Sequence, residues 1–233
     1  MHVWNLGVLR DLLGTVLKLL LRKRGFYRGR NLTKRLAVFN KDLRKYVRDN
    51  KLELSARKIK KETLNWKSDM CPVLFAKAAD CATILQYANY KLQEHFEVSE
   101  YPSLVACVWA ANIFSGCIMS GGVNLTQPER DTVYNAGMMF LETYVSLGHE
   151  ALEKGQLYFK VRPKLHYLQH IIESVLYTQR NPRMGATFMD EDWVRHAMAT
   201  TRMMSHRTCA LNVLRRFCVI TKAALDRQLQ KRH

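Results

Sequence analysis

Acid is scarce in this sequence: 20 aspartates and glutamates stand against 37 lysines and arginines, leaving a formal net charge of +17 over 233 residues. Clustered positive charge of this size attracts polyanions by releasing their condensed counterions, and nucleic acid is the commonest such partner. Paired cysteine motifs are also missing. None of Cys71, Cys81, Cys107, Cys117, Cys209 and Cys218 forms a Cys-x-x-Cys pair, and in apolar helical surroundings they read as small hydrophobes and reduced thiols of a cytosolic or nuclear protein. The run Leu12 to Leu21 is too short to span a bilayer; it is preceded by Arg10 and Asp11 and interrupted by Lys18, and no small-residue cleavage site follows it, so it does not read as a leader or an anchor. Strand alternation is confined to two short stretches, Leu157 to Val161 and Met184 to Phe188. There is no internal repeat and no low-complexity tract.

A 48% hydrophobic composition excludes a disordered chain, and the length suits one domain or two closely packed ones. Charge divides it unevenly: residues 1–70 hold 19 of the 37 basic side chains and 6 of the 20 acidic ones. We therefore separate a basic helical segment, 1–70, from a helical bundle, 71–233. In the first, Leu9, Leu12, Leu13, Val16, Leu17 and Leu20 recur at helical spacing up to a basic end at Arg22, Lys23 and Arg24, with Gly25 as its cap. These cations would also serve nuclear import. A second helix over 32–47 turns Leu36, Phe39, Leu43 and Val47 inward and presents Lys34, Arg35, Lys41, Arg44, Lys45 and Arg48 as a basic stripe for nucleic acid. Residues 51–67 are charged, with a weaker helical period. Beyond Pro72, helices are expected over 73–95, 102–119, 127–153, 164–178, 190–204 and 207–229, separated by Tyr101-Pro102, Gly121-Gly122, a Thr126-Gln127-Pro128-Glu129 capping sequence, Gly155, Arg162-Pro163 and Asn181-Pro182. The fold class is all-α, a multi-helix bundle.

Two stretches could carry chemistry. His166 and His170 lie one turn apart on one helix face, a spacing that can bind metal, but two ligands do not make a site. No glutamate stands between them as in zinc proteases. They read as a structural pair, or with Lys164 as phosphate contacts. Asp190, Glu191 and Asp192 form an acidic cluster just before Trp193. Acids in a first turn are stabilised by the helix dipole, which is their plain role; alternatively one of them holds Mg²⁺ at a scissile phosphate.

The opening Met1-His2-Val3-Trp4-Asn5-Leu6-Gly7-Val8 resembles the Met-His-x-x-x-Leu-Gly-hydrophobic stretch of eukaryotic cut-and-paste transposases of the CACTA (En/Spm) type. Pro163-Lys164-Leu165-His166 with His170 is similar to that family's Pro-Lys-x-His-x-x-x-His signature. Phe188-Met189-Asp190-Glu191 matches its aromatic-then-acid helix start. The resemblance implies the C-terminal half of an enzyme with an RNase H-like Asp-Asp-Glu core: its helical insertion and closing helices without the main β-sheet. Glu191 would be the third catalytic acid and a Mg²⁺ ligand, with Asp190 and Asp192 as alternatives, and His2, His166 and His170 would be structural or outer-shell groups. The family's other two acids lie upstream of the Met-His pair, so this chain alone is expected to be inactive. Mg²⁺ or Mn²⁺ would be needed only in a complete enzyme, with a second chain or an N-terminal segment completing the core. The implied partner is DNA, with no membrane, and the implied location nuclear, with cytoplasmic as the alternative. A reading from another class remains beside this one: a stand-alone basic helical nucleic-acid-binding or scaffold protein without catalytic role.

Overall fold

A computed structural model of the protein describes residues 2–22, 26–67, 69–95 and 101–185, and beyond them only 198, 201, 208, 211–216, 218, 219 and 222. They fall into two compact units, Met1–Gly185 and Ala186–His233. In the second, residues 211–216 are helical, inside the expected 207–229 helix, with Leu211 and Leu214 exposed. Asp190, Glu191 and Asp192 lie outside the described residues, as does Gly25.

The first unit is an all-helical bundle. It contains α1 (Leu9–Arg22), α2 (Leu32–Asp49), α3 (Ala78–His95), α4 (Pro102–Ser120), α5 (Gln127–Glu153) and α6 (Pro163–Thr178). Among the described residues, the one pairing of extended backbone is an isolated bridge between Asn124 and Arg180. Helices α3 to α6 pack on one another in chain order, and α1 packs against α2 and α3.

Helix α1 is buried around nearly its whole circumference: its broad apolar face lies in the core, and the polar sector of Asp11, Thr15 and Lys18 is buried as well. Its polar side chains are each met. Asp11 pairs with Arg162 at 2.9 Å, the Thr15 hydroxyl accepts the Phe159 N–H at 3.4 Å, and Lys18 Nζ donates to the Lys67 carbonyl at 3.0 Å. Lys18 also lies 5.8 Å from the rings of both Trp66 and Tyr158, and burial, aided by the charge of Arg22, lowers its pKa. A π-helical turn, Trp4–Val8, leads into α1 and drives Trp4 between Phe114 and Phe140, with ring centroids 5.0 and 5.2 Å away in edge-to-face contacts.

Within residues 1–185 the expected helices match those observed closely, with one shifted start, while the expected 190–204 helix lies almost wholly outside the described residues. Helix α3 begins at Ala78 and not at residue 73, because residues 72–77 are held extended across α1. The Leu74 N–H donates to the Arg10 carbonyl at 3.0 Å and the Phe75 N–H to Thr63 at 2.7 Å. Gly14 makes the crossing possible, since a Cβ there would lie 2.6 Å from Val73 N and Cα. The capping sequence before α5 forms as read, with Glu129 Oε2 accepting from the Thr126 N–H and hydroxyl, each at 2.8 Å. The two stretches read as extended do not form strands among the described residues: Phe159 adopts φ +49°, and Met184 and Gly185 close a 3-10 turn, Pro182–Gly185. Cys71, Cys81, Cys107, Cys117 and Cys218 are free thiols.

Candidate nucleic-acid interface

Helix α2 starts at Asn31, whose Oδ1 accepts the Lys34 N–H at 3.0 Å, and it buries a single stripe of Leu36, Phe39 and Leu43. Phe39 meets Tyr27 and Tyr87 edge to face, at 5.5 and 5.7 Å. The remaining surface of the helix faces outward. Lys34, Lys41, Arg44, Lys45 and Arg48 are exposed and Arg35 half-buried, so the predicted stripe forms one continuous cationic face.

Residues 51–67 run beside this face without a long helix, so their backbone groups need other partners. Side chains supply them. Asn40 clamps the buried Ile59: its Oδ1 accepts the Ile59 N–H at 2.7 Å and its Nδ2 donates to the Ile59 carbonyl at 2.9 Å. Asp80 accepts from the N–H and the hydroxyl of Ser55, at 2.7 and 2.8 Å, and the Thr83 hydroxyl donates to the Glu53 carbonyl at 2.9 Å. The Arg44 guanidinium donates to the carbonyls of Ala56 and Arg57. With Ile59 turned in, its neighbours Arg57, Lys58, Lys60 and Lys61 are all exposed.

Two open grooves result, one on each side of α2. The first, of about 630 Å³, has Leu36, Ala37, Asn40 and Ile59 in its lining, with Lys41 and Arg44 from the helix and Lys58, Lys60, Lys61 and Glu62 from the adjoining segment. The second, of about 490 Å³, is lined by Phe26, Tyr27, Val38, Asp42, Lys45 and Arg48, and shares Lys41 and Arg44 with the first. Behind the second groove, a polar chain fixes its one acid. Tyr27 and Tyr87 share a hydrogen bond of 2.7 Å, the Tyr87 hydroxyl donates to Asp42 Oδ2 at 2.8 Å, and Lys91 pairs with that oxygen at 3.0 Å. Burial, with the neighbouring acid, pushes the Tyr87 pKa far up, so it remains a donor. Burial works against the charge on Lys91, but its bonds to Asp42 and Glu94 outweigh that and raise its pKa.

The other candidate residues lie elsewhere. Lys164 is exposed at the start of α6, with its aliphatic stem over Gly7, where a Cβ would come 2.8 Å from Cδ. Helix α6 packs against α5 and the N-terminal π turn, so Lys164 does not join the α2 face. The stretches at 1–14 and 162–170 are nevertheless in contact with each other, through Gly7 with Lys164 and through the Asp11–Arg162 ion pair. Desolvation raises the Asp11 pKa, with Arg162, Lys160 and Lys164 pulling the other way. His2 is exposed. His166 and His170 are exposed on α6 with their Nε2 atoms 3.0 Å apart, and His170 Nδ1 is 3.6 Å from Glu173. Among the described residues, no three histidine, cysteine or acidic side chains gather as a metal cage.

Lys58, Lys60, Lys61 and Phe26 belong to this face although the stripe on α2 did not include them. The signal for the three lysines was Arg57-Lys58-Ile59-Lys60-Lys61, a lone apolar residue inside a cationic run, which anchors the run and turns its charges outward. The chain matches no family model, no curated protein and no solved structure.

Proposed function

We propose that the protein binds DNA through the cationic face of α2 and the adjoining Lys58–Lys61 run, and that it descends from a CACTA-like transposase. The observation that carries the DNA-binding reading is the assembly, from separate stretches of sequence, of Lys34, Lys41, Lys45 and Arg48 with Lys58, Lys60 and Lys61 on one side of the first unit. A merely solvated face does not need the set of side-chain clamps at Asn40, Asp80 and Thr83 that holds the second row in place. The descent is supported by motif order and by the packing of residues 1–14 against the start of α6, as parts of a single ancestral site would pack.

Among the described residues, no cluster of three histidine, cysteine or acidic side chains fits a divalent-metal centre. The resemblance places the metal-binding carboxylate in the acidic stretch 190–192, outside the described residues. Two metal ions cannot be held by it alone, and cleavage would call on a second chain or a further segment.

DNA affinity should fall steeply with salt. Each phosphate contact contributes about 0.9 to the slope of log K against log salt, so replacing Lys34, Arg35, Lys41, Arg44 and Lys45 by Gln should flatten it by up to about 4.5. Affinity independent of salt, or unchanged by these substitutions, would remove nucleic acid as the partner. The catalytic ancestry has its own test. Supplying the N-terminal segment of an intact transposase should restore Mg²⁺- or Mn²⁺-dependent cleavage, and Glu191→Gln should abolish it with DNA affinity retained. Loss instead with Asp190→Asn or Asp192→Asn would move the role to that acid, and cleavage surviving all three would end the catalytic reading.

A further inference from the structure

We infer that α2 lies lengthwise in the major groove of duplex DNA, its two flanking grooves receiving the two phosphate strands; this rests on the DNA-binding reading above. Lys34, Val38, Lys41, Lys45 and Arg48 follow one another at intervals of three and four residues, opposite the buried Leu36, Phe39 and Leu43. They form a single ridge along an 18-residue helix, about 27 Å long at 1.5 Å per residue. The ridge stands between two grooves and not on a flat surface.

That profile is the complement of B-DNA. A helix with its side chains is about 10–12 Å across, and the major groove is about 12 Å wide and 8.5 Å deep, bordered on both sides by phosphates. With the ridge inserted, one strand runs along the groove whose far wall is Lys58, Lys60 and Lys61, and the other along the groove between Phe26 and the ridge's own flank at Lys45 and Arg48. The acids nearby do little to oppose this. Asp42 is bound by Tyr87 and Lys91, and Asp49 lies 3.2 Å from Arg48, leaving Glu62 in the wall of the first groove. On the ridge itself the chemistry suits base edges: lysine and arginine to guanine O6 and N7, and Val38 to a thymine methyl. A single strand is the poorer fit, because stacking needs open aromatic faces. The first groove has none, and of the two aromatics in the second, Tyr27 is buried.

The full chain should be titrated against a guanine-containing duplex, its separated strands, and the same duplex methylated at guanine N7. We expect at least tenfold preference for duplex, at least tenfold loss on N7 methylation, and displacement by a major-groove dye but not by a minor-groove one. Val38 is 43% exposed, so Val38→Glu should leave the melting temperature unchanged while weakening duplex binding at least tenfold. Replacing Lys58, Lys60 and Lys61 by Gln should lower the salt slope by about 2 to 3. Salt-dependent duplex binding that ignores N7 methylation and Val38→Glu, or that yields to the minor-groove dye, overturns the insertion and leaves the DNA-binding reading standing. Tighter binding to the separated strands overturns it likewise. Absence of any salt-dependent binding overturns both.

Discussion

Asn40 spends one side-chain amide on both backbone groups of Ile59 and so sets where an entire charged segment runs. Asn40→Ala would leave a part-buried N–H and carbonyl without that partner, at a cost of about 1–3 kcal/mol. The local consequence should exceed the global one. Residues 56–62 would lose their register against α2, and DNA binding should lose salt dependence in the manner of the Lys58/Lys60/Lys61 variant, although no cation has been changed. Denaturant melts and salt titrations of the same variant separate the two effects. Nothing in the sequence around Asn40 marks it as a clamp, because its partner stands nineteen positions later and is recognised by backbone, not by side-chain type.

At the scale of elements, helical periodicity and capping residues located α2, α4, α5 and α6 to within one or two residues, since those signals are local. The start of α3 was not legible. Leu74 reads as a helical apolar position, yet its N–H is taken by the Arg10 carbonyl across α1. Gly14 is the sequence mark of that crossing, and it could equally be a dispensable glycine inside a helix. Gly14→Ala decides between these. Alanine gains about 0.5–1 kcal/mol of helix stability over glycine. Here its Cβ would lie 2.6 Å from the Val73 backbone, and overpacking of this kind costs about 1–3 kcal/mol. The clash should win, lowering the denaturant midpoint with the slope unchanged. The cationic stripe on α2 was readable from its 3.6 period, but where the second cationic run lies relative to it was not, since side chains on α2 and α3 place it.

For the whole molecule, polarity is distributed as well as concentrated. Helix α5 exposes Asp131, Glu142, Glu150 and Glu153, while α2 exposes its cations, so a polyanion meets the first unit with a preferred side. The one buried ion pair between the start of the chain and the start of α6, Asp11 with Arg162, ties stability to pH. Desolvation raises the Asp11 carboxyl above its ordinary 3.8 despite the neighbouring cations. A carboxyl raised in the folded state contributes its stability fully below the ordinary value and loses it as pH rises through the raised one. The stability of the wild type relative to Asp11→Asn should therefore decline from acid to neutral pH. A difference flat with pH, or rising, in paired denaturant melts would contradict the burial assigned to this group.

The position of Trp4 also imposes an order on synthesis. Its edge-to-face partners, Phe114 and Phe140, lie far downstream, and the helix it introduces carries a broad apolar face. At ribosomal rates of about 5–20 residues per second, the interval between the appearance of Trp4 and that of Phe140 is on the order of ten seconds. During that time α1 can pack on α2 and α3, while the Trp4 ring waits for its own partners. The Trp4 ring is thus enclosed only once α4 and α5 have been made, which makes the growing chain a natural client of ribosome-associated chaperones.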